Sequence, residues 1–165
     1  MPHTGPMRLP WNRADAARFN REHQRLRFSG FAEPVPDLYE FRTSDGHYIF
    51  LHEMACVSIQ FSPVSRDLGL TFECVASDLM DHPLTATLTF GDAEITQWVD
   101  DVADPSMFNS SGKPTRLRGQ VGGLWHFDDG TLQLDLLEVR LRFVARSVRC
   151  EARRGVWPES LGHEH

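Results

Sequence analysis

Residues 84–90, Leu84-Thr85-Ala86-Thr87-Leu88-Thr89-Phe90, decide the fold class. In an extended chain Leu84, Ala86, Leu88 and Phe90 share one face and three threonines share the other. β-branched Thr suits a half-exposed pleated surface. The alternation spreads outward from this run. Upstream, Leu68, Leu70, Phe72 and Cys74 repeat it after a turn at Pro63–Asp67. Before that turn Ala55, Val57, Ile59 and Phe61 are expected on one face, with Cys56, Ser58 and Gln60 opposite. Further back, Tyr39 and Phe41 alternate with Glu40 and Arg42, and Ser44-Asp45-Gly46 turns the chain into Tyr48–Leu51, a hairpin signal. Downstream, Gly91-Asp92 leads into Ala93–Val99, where Ile95 and Val99 alternate with Glu94 and Trp98. After a loop at Asp100–Pro114, Arg116–Val121 resumes the pattern and Gly122-Gly123 leads on to Leu124–Phe127. Asp128-Asp129-Gly130 makes a turn, and Leu132, Leu134 and Leu136 form a stripe. The phase then slips to Leu137, Val139, Leu141 and Phe143, which requires a bulge or a new strand near Leu136-Leu137. Val148–Ala152 closes the series.

Only residues 13–27 read as a helix, with Asn12 as cap and Asp15 in the first turn. No helical segment lies between strands to carry parallel crossovers. The expected fold is therefore mainly β, an antiparallel β-sandwich or strongly curled sheet with one N-terminal α-helix. The chain divides into a basic arm and helix (1–27), a β-rich domain (28–154) and a flexible C-terminal tail (155–165). With 165 residues it has the length of one domain, the usual scale being roughly 100–200 residues. No apolar run approaches the roughly 20 residues that span a bilayer, and the N-terminus carries no apolar signal-peptide core. Cys56, Cys74 and Cys150 form no C-x-x-C pair and sit in strand-like runs, so they read as buried structural thiols of a reducing, cytoplasmic setting.

Charge is unevenly placed. Residues 1–27 carry six Arg against Asp15 and Glu22, whereas the whole chain has a net charge of −6. From Arg66 to Lys113 there is no intervening base, and the window holds Asp67, Glu73, Asp78, Asp81, Asp92, Glu94, Asp100, Asp101 and Asp104. Such a window gives a negative potential that repels nucleic acid and steers a cationic partner inward. The alternative is a solvated acidic face neutralised by the arginines that follow Lys113. Within the window Asp78, Asp81, Asp92, Glu94, Trp98, Asp100, Asp101 and Asp104 are the candidate partner-binding residues. Trp98 falls on the polar side of its run, and an exposed aromatic among acids has the composition of an interface hot spot. Core packing is the competing account.

No strong catalytic or metal-binding motif is present. His52-Glu53 lacks the second histidine of an H-E-x-x-H helix. His47 and His126 lie far apart, and a ligand site built from them stays open. Neither Ser29-Gly30 nor Ser111-Gly112 has the context of a nucleophile elbow. Gly119-Gln120-Val121-Gly122-Gly123 leads into a strand rather than a helix, so it suits a bulge or close backbone approach, not a phosphate cradle. No cofactor or metal is expected.

Leu51-His52-Glu53, the strand and turn that follow, Leu68-Gly69-Leu70-Thr71-Phe72-Glu73, and a strand ending Leu88-Thr89-Phe90-Gly91-Asp92 together resemble small all-β bacterial families that include immunity proteins of polymorphic toxin systems. The resemblance covers roughly residues 48–153. It implies a non-enzymatic protein-binding module with no catalytic residues to carry over and a binding surface that varies among its members. With the acidic window, the expected function is an immunity-type inhibitor that docks an acidic surface on a cationic toxin. A structural or adaptor subunit of a bacterial complex, or a small-ligand-binding β protein, are the alternatives. The expected partner is another protein, basic in character, and neither nucleic acid nor membrane.

Overall fold

The computed structural model describes residues 26–74, 83–100, 119–127 and 129–154. Among these the chain is mainly β: β1 (Arg27–Ser29), β2 (Glu40–Arg42), β3 (Tyr48–Phe50), β4 (Met54–Phe61), β5 (Leu68–Cys74), β6 (Leu84–Gly91), β7 (Glu94–Asp100), β8 (Gly123–His126), β9 (Leu132–Asp135), β10 (Val139–Val144) and β11 (Ser147–Arg154), with one 3-10 turn at Leu51–Glu53. They form a five-stranded sheet in the order β1-β11-β6-β5-β4, a four-stranded sheet β7-β10-β9-β8, and the β2-β3 hairpin. Among the described residues no helix is long and apolar enough to cross a membrane. Arg27 belongs to β1, which corrects the expected end of the N-terminal helix; residues 1–25 lie outside the described residues.

Pairing is antiparallel as expected, with one exception. β1 lies parallel to β11, Phe28 opposite Val148. The crossover that a parallel pair needs is here the whole intervening domain, which local periodicity cannot reveal. The hairpin joins through a Phe31–Thr43 bridge. At the opposite edge Cys56 N donates to Gly119 O and Val121 N to Met54 O, so the glycine-dense stretch runs beside β4 before entering β8. This is the close approach expected of it, since a Cβ on Gly119 would stand 2.7 Å from the Cys56 carbonyl oxygen.

β6 follows its alternation residue by residue: Leu84, Ala86, Leu88 and Phe90 are buried and the three threonines half-buried. The slip after Leu136 resolves as a new strand, with Leu136 N bonded to Val139 O across a tight connection. Apolar side chains from all three sheets share one hydrophobic cluster. Phe90 of the five-stranded sheet meets Phe143 of the four-stranded sheet edge to face, centroids 4.8 Å apart. Burying a residue of that size contributes about 1.5–3 kcal/mol. All three cysteines are free thiols, Cys56 and Cys150 buried and Cys74 half-buried.

Two face assignments are corrected, both by bulges. In β4 the register shifts between Cys56 and Ser58. Cys56 opposes the buried Phe72 and Ile59 opposes the buried Leu70, so both face the core, while Val57 is the extra residue and is 53% exposed. In β7 the register shifts beside Phe143: Ile95 opposes Phe143 and Trp98 opposes Leu141. Both partners are fully buried. Because directly opposed residues share a face, Trp98 lies on the core side of its sheet and not on the polar side. One extra residue in each strand inverts every face beyond it.

Candidate functional site

β7 is an edge strand, paired among the described strands with β10 alone. Thr96, Val99 and Trp98 have the β-branched and aromatic character that favours the extended state. The position at the edge decides their exposure. Glu94, Thr96, Gln97, Trp98 and Asp100 are exposed, and only Ile95 and Val99 are half-buried. Trp98 keeps 46% of its surface accessible although it sits on the core side, since among the described strands none continues the sheet past it. Its indole Nε1 donates to Asp100 Oδ1 at 3.0 Å. That bond saturates the indole N–H and leaves the apolar ring free to meet a partner. Glu94 opposes Val144 and Asp100 opposes Val139, one acid at each end of the strand with no base between them.

Where β7 begins, four turns converge on an open cleft of about 490 Å³, and its charged lining comprises Arg66, Asp92, Glu94, Asp129 and Arg146. Asp92 holds a left-handed backbone (φ 51°), which short Asp side chains tolerate in tight turns. Its Oδ2 stands 3.0 Å from Arg146 Nε. In this pair one acid of the window meets one of the arginines that follow Lys113. Both partners are largely exposed, so the pair adds little to stability. Arg66 instead lies over the Phe61 ring at 4.9 Å.

The structure thus brings Asp92 and Glu94 together at the cleft and places Trp98 and Asp100 farther along the same edge. Asp78, Asp81, Asp101 and Asp104 lie outside the described residues. Arg66, Asp129 and Arg146 were not among the candidates. Arg66 and Arg146 lie too far apart in sequence for spacing to connect them.

The polar side of the four-stranded sheet carries a second group that periodicity did not single out. Asp135 accepts hydrogen bonds from Trp125 Nε1 (2.9 Å), Gln133 Nε2 (3.0 Å) and Arg140 Nε (2.9 Å), and Arg142 Nε donates to Gln133 Oε1 at 2.6 Å. Tyr39 stacks on Trp125 at 6.4 Å, and its hydroxyl bonds His52 Nδ1 at 3.0 Å. These groups satisfy one another across β8, β9 and β10, the arrangement of a rigid sheet face rather than of a site waiting for a ligand. His47 stands 3.6 Å from Asp45, whose carboxyl is held below its ordinary value first by the Thr43 hydroxyl and then by His47. His126 Nε2 is shut off from water at the end of β8. Among the described residues no group of three or more His, Cys, Asp or Glu is placed to hold a metal ion. No known protein family, curated protein or solved structure matches the chain.

Proposed function

We propose that the protein is a non-enzymatic protein-binding module, an immunity-type inhibitor of the cytoplasm that docks the acidic edge at β7 on a cationic partner such as a toxin. In this reading the two larger sheets are the layers of a sandwich and β7 is its rim. The observation that carries it is the character of β7: exposed on both faces, acidic at both ends, and bearing a half-exposed Trp98 whose polar atom is already bonded. Acids of this kind steer encounter and suppress wrong partners, and a central aromatic supplies the energetic anchor.

The test begins with capture of the partner from the native host by tagged protein, identified by mass spectrometry. The partner is expected to be basic and to harm cells that lack this chain. Reversal of Asp100 and Asp101 to Lys should then slow association at least tenfold and flatten its dependence on salt, because exposed charges act over a Debye length of roughly 8 Å at physiological ionic strength. The melting midpoint should hardly move, since exposed pairs contribute only about 0–1 kcal/mol. An unchanged association rate, or loss of folding in the double reversal, removes the support for this reading.

A further inference from the structure

We infer that β7 recognises its partner by strand addition: an extended segment with basic residues at both ends pairs with the open edge of β7 and lengthens the four-stranded sheet. The inference rests on the reading of the acidic edge as a partner surface and specifies how that surface is used.

An edge strand leaves the N–H and C=O of every second residue turned away from its sheet. β7, seven residues from Glu94 to Asp100, is paired among the described strands with β10 alone, so those groups lie on its far side without a partner strand among them. Among the described strands β1, β8, the two hairpin strands and β4 are also sheet edges, and the longest free stretch on them is Val57–Phe61 of β4, beyond the part covered by Gly119–Val121. The two edges differ in charge. Val57–Phe61 carries no ionisable side chain, whereas β7 has Glu94 and Asp100 and no base.

The register decides which strand can fill the edge. A second copy of β7 laid antiparallel about Gln97 would set Glu94 against Asp100 at both ends. Laid parallel in register, it would set each acid against itself. Like charges directly opposed destabilise a strand pair, and opposite charges contribute favourably. Self-pairing is therefore disfavoured and a strand with Lys or Arg near both ends is selected. The bulge adds a second selection. It places Trp98 and Asp100 on the core side and Glu94 on the other, so the incoming strand must present its two basic ends to opposite faces. It must also lay an apolar side chain beside the exposed ring of Trp98. Backbone bonds supply affinity in such docking, and alternate side chains supply specificity.

The probe is a capped peptide, Lys-Lys-Thr-Val-Thr-Val-Lys-Lys, added to the full-length protein, with binding followed by titration and by amide hydrogen exchange. Two further peptides carry backbone N-methyl groups on one or the other alternate set of residues. Strand addition predicts slowed exchange confined to β7, at least tenfold weaker binding for one methylated peptide, and near-native binding for the other. Glu94→Lys with Asp100→Lys should weaken the parent peptide at least tenfold, and the neutral Glu94→Gln with Asp100→Asn by less, with melting midpoints confirming that both variants fold. Equal binding of the two methylated peptides, with charge reversal still effective, overturns strand addition while the acidic-surface reading stands. Protection at Val57–Phe61 instead of β7, or no peptide binding, also overturns it. Indifference to charge reversal removes both readings.

Discussion

His126 shows how one side chain can set a pH limit on the fold. It closes β8 with its Nε2 shielded from water. Burial disfavours the imidazolium and lowers the pKa from 6.5 to about 4, outweighing the opposing charge of Asp129. The unfolded chain therefore binds more protons than the native one between these two values. Stability is full above about pH 6.5, falls as the pH drops toward 4, and levels off below that. A tenfold difference in proton affinity corresponds to about 1.36 kcal/mol, so the loss between pH 7 and pH 4.5 amounts to roughly 2–3 kcal/mol. Urea denaturation at the two pH values should show that difference in the wild type and most of it abolished in His126→Gln. A variant as acid-sensitive as the wild type would place the titration elsewhere. The sequence marked His126 only as a histidine in a strand-like run. What gives it this property is enclosure by the fold, and enclosure has no local signature.

Elements were legible wherever one period ran unbroken. β6 has no interruption, and its buried and half-buried residues match the alternation throughout. β4 and β7 were legible as strands, but their faces were not, because Val57 and Thr96 each insert one residue that leaves composition unchanged and inverts the phase. The acidic residues of the site were likewise visible as a window without bases. The place of Glu94 and Asp100 on an edge strand depended on strand order, which alternation does not encode. Glycines offer a test at this scale. Gly119 has a left-handed backbone (φ 75°) and no room, a Cβ there meeting the Cys56 carbonyl oxygen. Gly46 has a similar backbone (φ 96°) and open space around it. Gly46→Ala should lose only the left-handed conformational cost of about 1–2 kcal/mol. Gly119→Ala adds a steric conflict with backbone that must part the 119–121 stretch from β4, so its loss in denaturant titration should be larger by at least about 1 kcal/mol. Equal losses would mean that the stretch moves aside freely and does not hold β4 to β8.

At the scale of the whole molecule the question is whether three sheets make one cooperative unit. Two features bind them. The chain passes from the edge of β4 straight into β8 through Gly119–Val121, and the buried faces share one cluster in which Phe90 and Phe143 are in contact. Neither sheet can expose its inner face without leaving the other's uncovered. The molecule carries natural reporters on both sides. Cys56 and Cys150 are buried in the five-stranded sheet, and burial raises their thiol pKa values to about 11 and about 12, so alkylation at neutral pH should await unfolding. Trp98 and Trp125 belong to the four-stranded sheet. With Trp11 and Trp157, which lie outside the described residues, replaced by Phe, denaturant titration followed by tryptophan fluorescence should give the same midpoint as titration followed by alkylation of Cys56 and Cys150. Phe143→Ala deletes the four-stranded side of the contact and should cost about 3–5 kcal/mol, the usual range for a buried Phe. In a single unit that loss lowers both midpoints equally, although Phe143 lies in only one sheet. If only the fluorescence midpoint falls, the sheets melt independently. The edge at β7 would then belong to a sheet that can open by itself, rather than to one held rigid by the entire core.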